Sequence, residues 1–213
     1  MSQHVTVLDH PLAADLLRRL RDVDTPREAF RDAAGRLGLL LVIEATRGLQ
    51  TLEEEVTTPV GRAHVRRLSR PLVALVVLRA GLGLLPALVE LYPDAIVGFL
   101  GLAREEGTFE PTEYYRNVPA ARGAPGLVLE PMVATGGSAA AAVVALREAG
   151  ADPVTLVSVV AAPQGLDRLA ADHPDVPVTT AAVDGRLDGR AFIVPGLGDF
   201  GDRLLGTIGG EAS

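Results

Sequence analysis

Residues 126–150 read GLVLEPMVATGGSAAAAVVALREAG. A short apolar run opens the stretch and an alanine-rich helical pattern, stopped by Gly150, closes it. Between them stand an acid, Glu130, and the small polar loop Thr135-Gly136-Gly137-Ser138. A buried strand turning through glycines into a helix is one half of a parallel β–α–β unit. Upstream, LVALVVL at residues 72–78 is a continuous valine-rich run, the mark of a strand covered on both faces. A helix follows over residues 82–91 and a second such strand over 95–102. Downstream come a strand over 154–162, a helix over 165–171 and a strand over 176–183. Strict alternation from residue 72 to 183 predicts an α/β fold: a central parallel sheet flanked by helices.

The flanks add smaller elements. Residues 5–8 suit a short strand, and residues 11–20 a helix entered through Pro11. Thr25-Pro26 reads as the start of a helix to residue 43, with Thr25 as N-cap and Glu28 completing a capping box. Residues 53–58 and 62–67 surround Thr-Pro-Val-Gly and predict a hairpin. Residues 104–119 turn polar, carry two tyrosines and lack a helical period. They predict an excursion from the core, an extended arm packing on another subunit. No repeat or linker interrupts the chain, so residues 1–213 are expected to form a single domain.

Composition removes several chemistries. There is no cysteine, and all 20 basic residues are arginine. Thiolate metal sites, cysteine nucleophiles, Schiff-base lysines and a Walker lysine are therefore excluded. The four histidines stand far apart, with no metal-ligand pair at helical spacing. A net charge of −7 argues against a nucleic-acid partner, though a local basic pocket is compatible with it. The start, MSQHVTVLDHPL, lacks the basic and apolar regions of a signal peptide. Charges at Arg79, Glu90 and Asp94 break the most apolar stretch before it could span a membrane. A soluble, cytoplasmic protein is expected.

In parallel sheets, ligands collect at the carboxyl ends of strands. Four segments fall there. Glycines at 136 and 137, hydroxyls at 135 and 138 and the start of a helix suit a phosphate, with Glu130 placed to accept from sugar hydroxyls. Taken alone, the same residues also suit an ordinary capped turn. Arg79 ends a wholly apolar strand, where an anion such as diphosphate would offset its burial; an arginine reaching solvent at the sheet edge is the alternative. Arg104 follows the next strand and could reach the same anion, or belong to a solvated charge cluster. Residues 193–203, IVPGLGDFGDR, form a glycine- and aspartate-rich loop whose backbone could read a flat heterocycle, or a tight surface turn opening the last helix.

Together these segments carry a resemblance. EATRGL at 44–49, LRAGLG at 78–83, EPMVATGGS at 130–138, VAAPQG at 160–165 and VPGLGDFGDR at 194–203 occur in the order and spacing of the uracil phosphoribosyltransferase family. The chain resembles that family over nearly its whole length. The resemblance implies a phosphoribosyltransferase-type sheet with an extended β-arm and a small hood. It implies transfer of phosphoribosyl from 5-phosphoribosyl 1-diphosphate (PRPP) to uracil, giving UMP and diphosphate, with magnesium bound mainly through the diphosphate. By resemblance, Glu130, Pro131, Met132, Val133, Ala134, Thr135, Gly136, Gly137 and Ser138 hold ribose and 5′-phosphate. Arg79 and Arg104 meet the diphosphate, Asp199 lies near the sugar donor, and Ile193, Gly198, Asp199 and Phe200 read uracil largely through backbone groups. It further implies a homodimer or larger homo-oligomer and a GTP effector.

Three positions depart from the family pattern. Glu130 replaces an aspartate, Phe200 replaces a small alanine, and residues 188–192, DGRAF, replace a lead-in that ends in tyrosine. All three surround the acceptor side. Because backbone recognition needs no particular side chain, the Phe200 ring is expected to point out of the pocket; the alternative lays it over the acceptor. A transferase with another heterocyclic acceptor, a nucleotide-binding sensor without catalysis and an RNA-binding regulator are the competing readings, the last disfavoured by charge and scarce aromatics.

Overall fold

A computed structural model of the chain describes residues 5–104 and 111–207, and of Arg104 only the backbone. In chain order, β1 (Val5–Val7) leads to helices α1 (Pro11–Arg21) and α2 (Arg27–Ala45) and to a hairpin of β2 (Thr51–Thr58) and β3 (Gly61–Leu68). Then come β4 (Val73–Leu78), a 3-10 turn (Ala80–Gly83), α3 (Leu85–Leu91), β5 (Ile96–Arg104), β6 (Pro111–Asn117), β7 (Gly126–Leu129) and β8 (Met132–Val133). The rest is α4 (Gly137–Glu148), β9 (Val154–Ala161), α5 (Pro163–Asp172), β10 (Val178–Val183), β11 (Arg186–Leu187), β12 (Ile193–Val194) and α6 (Phe200–Leu205).

The main sheet runs β1-β10-β9-β7-β4-β5-β6, with β8 also paired to β9. Every pairing in it is parallel except β5 with β6. Its central strands β4 and β7 are apolar throughout because both faces are covered. Ala74, Val76, Leu127 and Leu129 face one layer with α1, α2, α3 and α6, whereas Val73, Leu75, Val77 and Val128 face a second layer with α4 and α5. No helix among the described residues is long and apolar enough to cross a membrane.

The predicted alternation is present, and the structure corrects three local expectations. Thr25 does not cap α2: its hydroxyl donates to the Arg19 carbonyl, 2.7 Å away, and Pro26 at the N-cap makes no side-chain bond. The helix expected over 82–91 is split, since the 3-10 turn absorbs its first residues before Pro86. The arm expected over 104–119 is not free. Residues 111–117 form edge strand β6, with Phe99 to Arg104 of β5 paired against Asn117 to Pro111. An exposed edge carries no apolar alternation, which hid this strand. Residues 105–110 lie outside the described residues. The free-standing element is instead the β2–β3 hairpin, which pairs in register from Thr51↔Leu68 to Thr58↔Gly61 and joins no other sheet.

Candidate active site

A cleft of about 320 Å3 opens at the carboxyl ends of β4, β5 and β7. Arg79, Glu130, Met132, Ala134, Thr135, Ser138, Ile193, Gly198, Asp199 and Phe200 all line it. Residues far apart in sequence thus meet where parallel sheets collect ligands.

The loop at one wall is built on β9. Beyond Glu130, the Pro131 carbonyl takes the Val159 and Val160 amides and the Ser158 hydroxyl. Pairing resumes at β8, with Met132 beside Val160 and Val133 beside Ala161. The chain then turns through Gly136, at φ +83°, into α4. A Cβ on Gly136 would stand 2.6 Å from the Gly165 carbonyl oxygen, and one on Gly165 would stand 2.6 Å from that of Ala134. Loop and α5 therefore meet backbone to backbone. The N-terminus of α4 opens on the cleft between the hydroxyl residues Thr135 and Ser138, an arrangement suited to a phosphate. Val133, buried beneath the loop, together with Pro131, Gly136 and Gly137, shapes the loop without lining the cleft. Glu130, only 6% exposed, lines the cleft just beyond the end of β7.

Arg79 follows β4 after a cis Leu78–Arg79 peptide bond. From the sequence, this guanidinium either meets an anion or reaches solvent at the sheet edge. Its side chain is 52% exposed and donates through Nη2 to Asp202 Oδ1 at 3.0 Å, with Nη1 3.4 Å from the Thr207 hydroxyl. A carboxylate and solvent offset its charge, while the residue still lines the cleft. The side chain of Arg104 lies outside the described residues, so its expected role has no geometry to set beside it.

The opposite wall is the small hood, the antiparallel pair β11–β12 and the loop after it. Asp199 caps α6, its Oδ1 accepting the Asp202 amide at 2.8 Å. Phe200 points its ring away from the cleft into the core. It is 1% exposed and meets Phe30 edge-on at 5.3 Å between centroids. The ring fills the space beside Gly83, where a Cβ would come within 2.6 Å of it. Of the three departures, this one leaves the cleft open.

Phe192 does line the cleft. Asp188 Oδ1 accepts the Arg190 and Phe192 amides, at 2.8 and 2.9 Å, and these two backbone bonds hold the Asp188 carboxyl below the usual carboxylate range. Asp184, 6% exposed, takes both terminal nitrogens of Arg21 at 2.7 Å and the Gly196 amide at 2.8 Å. Burial alone would raise its pKa, but the Arg21 and Gly196 bonds outweigh that and hold it low. Sequence reading missed this pair, along with Ala80, Leu102 and Ala103 at the ends of β4 and β5. Their place after strand ends was the available signal for the last three; nothing local marks a pair 163 residues apart.

The chain is similar throughout to known proteins. The family described as uracil phosphoribosyltransferase matches residues 7–207. A uracil phosphoribosyltransferase of Acholeplasma laidlawii is 44% identical over 204 residues, covering 95% of this chain and 98% of the relative. One of Thermus thermophilus is 45% identical over 207 residues, covering 95% and 99%. Among solved structures, the AQ2163 protein of Aquifex aeolicus superposes with a TM-score of 0.90 at 37% identity, covering 94% of this chain and 97% of that one. A phosphoribosyltransferase from Corynebacterium diphtheriae, at 18% identity and a TM-score of 0.52 over 82% of this chain and 96% of that one, shares the fold.

Proposed function

The chain belongs to the uracil phosphoribosyltransferase family, and from that premise we propose that residues 1–213 work as one domain whose cleft joins PRPP to uracil. The products are UMP and diphosphate. The bond between the anomeric carbon and diphosphate breaks, a bond to N1 of uracil forms, and the N1 proton leaves with the products. The observation that carries this reading is the convergence of Arg79, Glu130, Thr135, Ser138, Ile193 and Asp199 on one cleft.

Each residue has work suited to its chemistry. Thr135, Ser138 and the first turn of α4 hold the 5′-phosphate, and Glu130 accepts from ribose hydroxyls. Arg79 exchanges Asp202 for the diphosphate and, with Arg104, stabilises its departure as positive character grows at the anomeric carbon. The backbone around Ile193 and Gly198 to Phe200 meets the edge of uracil. No group of three or more His, Cys, Asp or Glu suited to a metal occurs among the described residues. Glu130 and Asp199 are the carboxylates lining the cleft, a donor set that fits a magnesium ion taking its other ligands from PRPP oxygens and water. When bound, that ion neutralises diphosphate charge.

The test is diphosphate release with PRPP and a panel of bases. Turnover is expected with uracil; turnover with another heterocycle alone would transfer the reading to that acceptor. Arg79→Ala is expected to lower kcat/KM for PRPP by about ten- to a hundredfold, the cost of a lost charge-assisted hydrogen bond. Unchanged donor kinetics in that variant would remove Arg79 from the site.

We also propose that the chain works as a homo-oligomer, with the free-standing hairpin as a contact. Its register sets Leu52, Val56, Ala63 and Val65 on one face, beside the Glu54–Arg67 ion pair at 2.8 Å. Leu52 is 47% exposed, and Val60 at the tip is 98% exposed. The double variant Leu52→Asp/Val65→Asp is expected to run at monomer mass in light scattering, and an unaltered oligomer would count against the hairpin.

A further inference from the structure

We infer that Arg21 and Asp184 are positioning residues for the acceptor loop, holding residues 193–200 at the cleft from outside it. The inference rests on the assignment of that loop to the base. Neither residue lines the cleft. Asp184 directly follows β10, and Arg21 is the last residue of α1. Their two paired bonds, Nη1 to Oδ2 and Nη2 to Oδ1, are each 2.7 Å long.

The pair grips Gly196 on both sides. Its amide donates to Asp184 Oδ2 at 2.8 Å, and its carbonyl accepts from Arg21 Nη1 at 2.8 Å. Gly196 stands at φ +57° in a turn so tight that a Cβ would fall 2.1 Å from the Ile193 carbonyl oxygen. A second latch lies alongside. Arg203 donates to the carbonyls of Leu20, Leu197 and Asp22, and its guanidinium stands 4.5 Å over the Phe30 ring. Both arginines thus tie the loop to the carboxyl end of α1, where helix carbonyls lack intrahelical donors.

The loop has little structure of its own. Its regular part is two strands of two residues each, Arg186–Leu187 and Ile193–Val194. A loop read through its backbone needs that backbone fixed, and the fixing comes from these side chains. The donor wall is held separately, by β9, α4 and Gly165, and Asp199, the loop residue placed near PRPP, has its own tie to the Asp202 amide at the start of α6. Loss of the pair is therefore expected to act on one substrate and spare the other.

Asp184→Asn keeps the shape and removes the charge. Arg21→Lys keeps the charge and removes the paired geometry, which lysine cannot supply. Both are expected to lower kcat/KM for uracil by about a hundredfold, the scale of an ångström's misplacement, while leaving PRPP binding by calorimetry within about threefold. Amide hydrogen exchange should rise in residues 194–201 and stay unchanged in residues 130–138. Unchanged exchange in the loop, an equal loss for both substrates, or exchange raised throughout the chain would each overturn the inference, the last by making the pair a support of the whole fold. A native protein that binds PRPP but turns over no uracil, with exchange still confined to the loop in the variants, would refute the base assignment and leave the anchoring intact.

Discussion

Phe200→Ala is expected to lower the melting midpoint by about 10 °C. Emptying a buried aromatic site costs about 3–5 kcal/mol, and for a chain of this size each kcal/mol is worth about 2–4 °C. Phe200 is 1% exposed, packs edge-on against Phe30 and fills the space that Gly83 leaves. The ring also begins α6, whose first turn carries Asp202, the present partner of Arg79. Calorimetry or a circular-dichroism melt reads the effect, and Phe200→Leu should recover part of it by refilling volume. At a temperature where the variant stays folded, uracil turnover should fall only slightly, because no ring is withdrawn from the base. A melting midpoint equal to that of the native protein would put the ring outside the core, and gain of a new acceptor on removing it would put the ring over the cleft.

The second large effect belongs to Gly136→Ala. A side chain at φ +83° costs about 1–2 kcal/mol before any contact is counted. Its Cβ would then stand 2.6 Å from the Gly165 carbonyl oxygen and 3.2 Å from the Gly165 Cα. Both are backbone atoms, so no flexible side chain can give way and the loop itself must shift. A shift of that size is expected to reduce kcat/KM for PRPP by about a hundredfold while KM for uracil changes little. Gly137→Ala is the control: its Cβ would meet the side chains of Pro111 and Arg168, at 3.1 and 3.2 Å, and should cost far less. Steady-state kinetics with PRPP varied make the comparison, and equal donor kinetics in the native and Gly136→Ala proteins would detach the loop from the phosphate.

Much of the architecture was legible because central parallel strands are covered on both faces. Such strands leave apolar runs, unbroken at residues 73–78 and interrupted only by Thr155 and Ser158 at residues 154–161, which helical patterns then separate. The same logic failed at the rim. Strand β6 has six of its seven residues exposed, so PTEYYRN carried no alternation to read. The capping box at Thr25 was sound local chemistry, but the end of α1 offered the Arg19 carbonyl to the same hydroxyl. Loop motifs marked most of the cleft, because glycines and hydroxyls beside strand ends leave a local signature. Arg79 shows the limit of that signature: the sequence left an anion and an outlet to solvent both open, and could not name Asp202, 123 residues away, as its partner.

The ties between α1 and the hood join groups 163, 175 and 183 residues apart in the chain. They also impose an order of assembly. Strands β4, β7 and β9, helix α4 and Gly165 all fall between residues 73 and 165, so the wall around residues 130–138 is built from one stretch of chain. The hood wall forms only when residues 184–203 meet helix α1, far away in the chain. Closing so large a loop is slow in entropic terms and brings its reward only at the end. The hood wall of the cleft, which has little local structure to fall back on, is therefore expected to close late in folding and to open early when the fold is stressed.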